Sequence, residues 1–177
     1  VKKMTRRREL TESEAIDLAW KIHSAQMDWT GKVDTKAAFA LSIETVAITA
    51  TVALTSEGRV FSGLSQFTAV LFILGTSCLV IGGIFSLVAV RPRLKRKSAN
   101  HSVDSNYIYF GGARNFSTTE LASALRANKA LDNLTAQIIA MAEICWRKHL
   151  YVGRSLLAAA GGIALLAADG LYILFIM

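Results

Sequence analysis

The sequence predicts a mainly α-helical integral membrane protein: three transmembrane helices with a small helical cytoplasmic module. Three observations carry that expectation. Hydrophobic residues make up 53% of the 177 residues before glycine is counted, and mean hydropathy is +0.39; a soluble domain carries about 45–50% with glycine included. These residues crowd into three blocks, 37–54, 68–90 and 156–177. Lys and Arg fall between the blocks with a steep bias. The length allows one membrane unit plus a small soluble module, and the apolar content excludes both an ordinary cytosolic globule and a disordered tail.

Residues 1–36 read as a cytoplasmic amphipathic helix. Thr11-x-x-Glu14 is a capping-box signature, in which each side chain satisfies a backbone N–H at a helix start. Behind it Ile16, Ala19, Trp20, His23 and Met27 recur at three- and four-residue steps, one face of a helix. The polar face mixes acids with bases, unlike the basic face of a membrane-surface helix, so packing on the cytoplasmic module is expected. Gly31 is expected to loosen the chain before Val33-Asp34-Thr35-Lys36-Ala37 opens the first span, 37–54. That block is short and contains Glu44 with Thr45, Thr49 and Thr51, so a buried core helix stays open as its other reading.

After a 55–67 external loop, the second span (68–90) has no charge in 23 residues, where about 20 suffice to cross the ~30 Å hydrocarbon layer. Residues 91–155 then read as a basic helical module. It begins with the run Arg91-Pro92-Arg93-Leu94-Lys95-Arg96-Lys97, followed by a polar, loop-like 98–105. Ser117-x-x-Glu120 is a second capping box. Leu131, Leu134, Ile138, Met141 and Cys145 step 3-4-3-4, the seam of a helix that pairs with another. No proline follows Pro92, so this helix is expected to continue through Lys148 into the third span (156–177) as one lever, with Gly153 its weak point. The third span is long enough but carries Asp169.

Residues 1–36 hold eight Lys/Arg, the 55–67 loop one, and residues 91–155 eleven. The positive-inside rule places the N-terminus and 91–155 in the cytoplasm, and the 55–67 loop and the C-terminus outside. No signal-peptide pattern occurs, because the basic N-terminus is followed by Glu9-Leu10-Thr11-Glu12 rather than an apolar stretch. The chain is expected to remain in the bacterial inner membrane.

The residues show no catalytic constellation. Cys78 and Cys145 lack metal spacing, and His23, His101 and His149 are far apart, so no disulfide framework or zinc site is expected. The basic run has two compatible readings: it sets topology against anionic lipid, and Arg91 or Arg93 also holds a phosphate in a guanidinium fork. Tyr107, Tyr109 and Phe110 read either as a packed loop core or as a base-stacking platform, with Gly111-Gly112 letting backbone N–H groups approach a phosphate and Arg114 nearby. Glu44 and Asp169 are intramembrane carboxylates, costly there, that either hydrogen-bond to a neighbouring helix or line a polar path exposed on assembly. Gly75, Gly82, Gly83 and Ala158-x-x-x-Gly162 support close helix approach.

Several stretches in this order resemble the transmembrane effector family of the bacterial Pycsar antiphage systems. They are Gly31-Lys32-Val33-Asp34-Thr35-Lys36-Ala37, Val90-Arg91-Pro92-Arg93, Tyr109-Phe110-Gly111, and Leu134-Thr135-Ala136-Gln137-Ile138 through Ala142-Glu143-Ile144 to Lys148. The resemblance implies an effector, not an enzyme, that needs no cofactor or metal. A partner pyrimidine nucleotide cyclase would sense infection and make a cyclic nucleotide, cCMP or cUMP. The effector would bind it on the cytoplasmic side and impair the membrane, giving abortive infection. On that implication the ligand-binding candidates are Arg91, Arg93, Tyr109, Phe110, Gly111, Arg114 and Lys148. Asp34 and Lys36 hold the module to the membrane, as an ion pair, or touch ligand. Partners are the cyclic nucleotide, membrane lipid and further copies of the chain, with no nucleic acid. Two rivals stay open: an effector gated by cyclic oligonucleotides, and a structural or accessory membrane protein.

Overall fold

A computed structural model describes residues 8–91, 106–127 and 129–176. Among these the elements are α1 (Glu12–Ala53), α2 (Gln66–Val90), α3 (Phe110–Ala113), α4 (Thr118–Arg126) and α5 (Ala130–Ile176), with no strand. Helices α1, α2 and α5 are long and apolar enough to cross a membrane.

Local chemistry sets the helix ends. Thr11 donates its backbone N–H to Glu14 Oε2 at 2.8 Å and accepts the Glu14 N–H on its hydroxyl at 3.3 Å. Ser117 and Glu120 close the same reciprocal box at the start of α4, at 2.8 and 3.3 Å. Ser65 opens α2 by accepting the Thr68 N–H at 3.4 Å. Helix α2 stops at Arg91, whose ψ of 126° has left the helical region, because the ring of the following proline disfavours that region for the residue before it.

Neither Gly31 nor Gly153 interrupts its helix, contrary to the weakening expected at both: α1 runs for 42 residues and α5 for 47. A helical glycine costs only about 1 kcal/mol, which two helices this long absorb. The buried face of the first part of α1 is also rotated from the expected one. Ala19, His23 and Gln26 are buried, whereas Trp20 and Met27 are exposed.

Two compact units divide the chain, Val1–Trp29 with Arg93–Ile144, and Thr30–Pro92 with Cys145–Met177. In the first, Leu134 is fully buried and Ala19 nearly so. Asn106 ties the start of the α3 turn to α5, donating to the Asn133 carbonyl at 2.8 Å and accepting the Ile108 N–H at 2.9 Å.

The second unit is a three-helix bundle. Its α1 and α5 segments run parallel, since the pair Asp34–Lys148 is followed along both helices by the pair Glu44–Ser155. Helix α2 is antiparallel, with Ser86 at Ser155 and Phe67 at Tyr172. Ring pairs lie near both ends, Phe85–Tyr151 at 6.2 Å and Phe67–Tyr172 at 5.6 Å. From Tyr151 to Tyr172, α5 rises about 31 Å, which matches the hydrocarbon thickness between two aromatic belts.

The buried positions of each long helix keep a four-three step. On α2 they are Thr68 and, seven residues on, Gly75, Leu79, Gly82, Ser86 and Ala89. Within this unit α5 buries Cys145 and, seven residues on, Val152, Ser155, Ala159, Gly162, Leu166 and Asp169, and α1 buries Val33, Ala37, Ala40, Glu44 and, seven residues on, Thr51. This is the 3.5-residue repeat that keeps one seam facing its partners in supercoiled helices.

Candidate functional site

Two buried serines of the bundle interior meet at Glu44. Ser155 donates its hydroxyl to Glu44 Oε1 at 2.6 Å, and Ser86 Oγ lies 2.7 Å from Ser155 Oγ. With the Ser155 proton committed to the carboxylate, Ser86 supplies the proton of the second bond. Glu44 is 1% exposed and both serines are fully buried. Gly82 makes the room: a Cβ there would lie 2.6 Å from Glu44 Oε1 and 3.2 Å from the Ser155 carbonyl. Small residues at a helix interface permit such close approach, and hydroxyl and carboxyl groups then bond across it. Glu44 Oε2 keeps no hydrogen-bond partner among the described residues.

Ten residues before Glu44 on α1, about 15 Å along the axis, Asp34 forms an ion pair with Lys148 of α5. This corrects the idea of a pairing between Asp34 and Lys36. Side chains two apart on a helix point in different directions, and Lys36 is exposed. Lys148, a ligand candidate from sequence, therefore already holds a carboxylate. Toward the other end of α5, Asp169 is fully buried, and neither carboxylate oxygen has a hydrogen-bond partner among the described residues.

The aromatic turn belongs to the other unit. Tyr109 and Phe110 rings lie 4.8 Å apart, and Phe110 is 68% exposed. The Tyr109 ring covers Gly111 so closely that a Cβ there would lie 2.4 Å from it. Gly112 donates its N–H to the Tyr109 carbonyl at 2.9 Å. Glycine at 111 therefore seats the tyrosine ring. Arg114, just past α3, is exposed, as is Arg91 at the end of α2. Arg93 lies outside the described residues.

Among the described residues the nearest approach to an enzyme-like pair is Cys145 and His149, with Sγ 3.6 Å from Nδ1. That nitrogen also lies 2.9 Å from the Cys145 carbonyl. A carbonyl only accepts, so the nitrogen bonded to it is protonated and cannot take the thiol proton. No group of three or more metal-ligating side chains occurs among the described residues.

Glu44 and Asp169 are legible as intramembrane carboxylates, but Ser86 and Ser155 are missed by sequence reasoning. For Ser155 the signal is in the sequence: continuing the Leu134–Cys145 seam by alternating steps of three and four reaches Lys148, Val152, Ser155, Ala159, Gly162, Leu166 and Asp169.

A family model described as the Pycsar effector protein domain matches residues 18–176, which takes in α2, α3, α4 and α5 and all but the first turns of α1. No curated protein and no solved structure matches the chain. That family comprises membrane effectors rather than enzymes, set to work by a cyclic-nucleotide signal from a partner cyclase. With a family match over nearly its whole length and three helices able to span a bilayer, the chain belongs to the Pycsar effector family and serves as a membrane effector of antiphage defence.

Proposed function

We propose that this chain binds a cyclic pyrimidine mononucleotide, cCMP or cUMP, on the cytoplasmic side of the bacterial inner membrane and then impairs that membrane, halting growth before phage are released. The observation that carries the reading is the family match across all three long helices. The charge bias of eight, one and eleven Lys/Arg supports an orientation with residues 91–155 in the cytoplasm. Tyr109, Phe110 and Arg114, with Arg93, are the groups proposed to hold the base and its anion, and the activated form is proposed to be a homo-oligomer.

The energetics require more than one contact. Moving a population from about 1% to 99% active takes about 5.5 kcal/mol of differential binding. A hydrogen bond to a charged phosphate supplies about 1.5–3 kcal/mol. Base stacking, a second cation or subunit association must supply the remainder. The test is uptake of a membrane-potential dye in cells that express the chain, with and without cCMP or cUMP. Depolarisation only with a pyrimidine cyclic nucleotide supports the reading. Depolarisation only with cyclic oligonucleotides overturns the ligand assignment, and none with either overturns the membrane role.

A further inference from the structure

Seen along α5, the interior of the bundle is a regular ladder. Lys148, Ser155, Gly162 and Asp169 stand seven residues apart, about 10.5 Å per step and about 31 Å in all, the thickness of the hydrocarbon layer. The first rung is the Lys148–Asp34 pair, and the second is the Ser155–Glu44–Ser86 cluster. At the third, Gly162 packs against Gly75, beside Thr76, whose buried hydroxyl has no hydrogen-bond partner among the described residues. Asp169 is the fourth. Packing alone explains hydroxyls that bond between helices. It does not explain Glu44 Oε2 or the two Asp169 oxygens, which are buried and unpartnered at the cost such groups carry in hydrocarbon.

We propose that this ladder is a closed cation path, in which Glu44 is the group that selects the ion once the helices separate. Lys148 is neutralised by Asp34, so the interior charge that remains is that of Glu44 and Asp169. Carboxylates lining a narrow path favour cations and repel anions. A carboxylate with one oxygen held by Ser155 and the other free is already aimed at a passing cation. Gly82 and Gly83 face it from α2, where a Cβ would lie 2.6 Å from Glu44 Oε1 and 3.9 Å from Oε2, so only backbone and hydrogen crowd the carboxylate on that side. The inference rests on the proposed nucleotide-gated membrane role and names what crosses.

The test is the full chain reconstituted in planar bilayers across a KCl gradient, with cCMP or cUMP added, and in parallel vesicles loaded with a large trapped dye. The expected result is a nucleotide-dependent current whose K⁺-to-Cl⁻ permeability ratio lies well above 1, as carboxylate-lined pores favour cations, without dye release. Glu44→Gln keeps the Ser155 bond and should bring that ratio close to 1. Asp169→Asn should lower it less, and it decides the question if the first variant fails to insert. Equal passage of K⁺ and Cl⁻, or dye release alike from wild type and E44Q, overturns the inference and leaves the nucleotide role standing. A selective current indifferent to either nucleotide supports the path and overturns the gating. Neither current nor leak overturns both.

Discussion

The two units bury different things. The unit of Val1–Trp29 and Arg93–Ile144 encloses a whole leucine, Leu134, and fixes its helix starts with reciprocal side-chain caps at Thr11 and Ser117. The unit of Thr30–Pro92 and Cys145–Met177 also encloses a leucine, Leu79, but turns much of its bulk outward, with Ile73, Leu157 and Leu174 exposed, and interleaves glycine, serine and carboxylates with the apolar residues of its seam. In water, burying apolar area drives association. In lipid the outer face is as comfortable as the inner one, so helices associate through close backbone approach and buried hydrogen bonds. One period of four and three serves both, but the residues placed on it are chosen by the solvent outside.

The strongest way to break that contrast is at the glycine contacts. At Gly162 a Cβ would lie 2.7 Å from the Gly75 carbonyl and 3.0 Å from the Leu79 nitrogen, both backbone atoms that cannot rotate away. Gly162→Ala should therefore push α2 off α5 and cost about 1–3 kcal/mol, the range for overpacking. Gly153, on the same helix, has nothing within 4 Å. Gly153→Ala should instead stabilise by about 0.5–1 kcal/mol through helix propensity. Thermal unfolding in detergent micelles compares the two. Equal shifts would mean that the α2–α5 contact contributes nothing to the bundle.

The pattern of what could be read from sequence follows the range of each interaction. The second span was legible because 23 uncharged residues suit few other environments. The two caps were legible because partner and partner lie three residues apart. The Glu44–Ser155 bond joins positions 111 apart and Ser86–Ser155 positions 69 apart, and no local signal pairs a serine with a particular distant carboxylate. Lys148 drew attention as a cation, yet its partner Asp34 is 114 residues away. At Gly31 sequence and structure differ because a glycine's local cost is visible in sequence, while the packing that carries α1 past it is not.

The Asp34–Lys148 pair offers a smaller test of the same contrast. Its side chains are 38% and 16% exposed, so water screens it far more than it would the Glu44 cluster. A double-mutant cycle with Asp34→Ala and Lys148→Ala should return a coupling of about 0.2–1 kcal/mol, the range for solvent-reached pairs. The coupling should shrink in high salt. A coupling several-fold larger and indifferent to salt would place the pair with the buried cluster instead.

The least effect belongs to the caps, and its sign is fixed by their geometry. The backbone N–H of Ser117, then its hydroxyl, hold the Glu120 carboxylate below the ordinary range, and Thr11 acts on Glu14 in the same way. A lowered folded-state value means that the charged form is favoured in the folded helix. The caps therefore add stability above the unfolded carboxylate value of about 4.3, and that contribution is lost as pH falls through the lower folded value. Amide hydrogen exchange over Thr118–Leu121 should show the first turn of α4 fraying as pH drops below about 4, after correction for the intrinsic exchange rate. Glu120→Gln retains an acceptor for the Ser117 N–H but has no charge to lose, so its first turn should be weaker at neutral pH and level across the acid range. If the wild-type profile were equally level, the cap would hold through its hydrogen-bond geometry alone, without help from the carboxylate's charge.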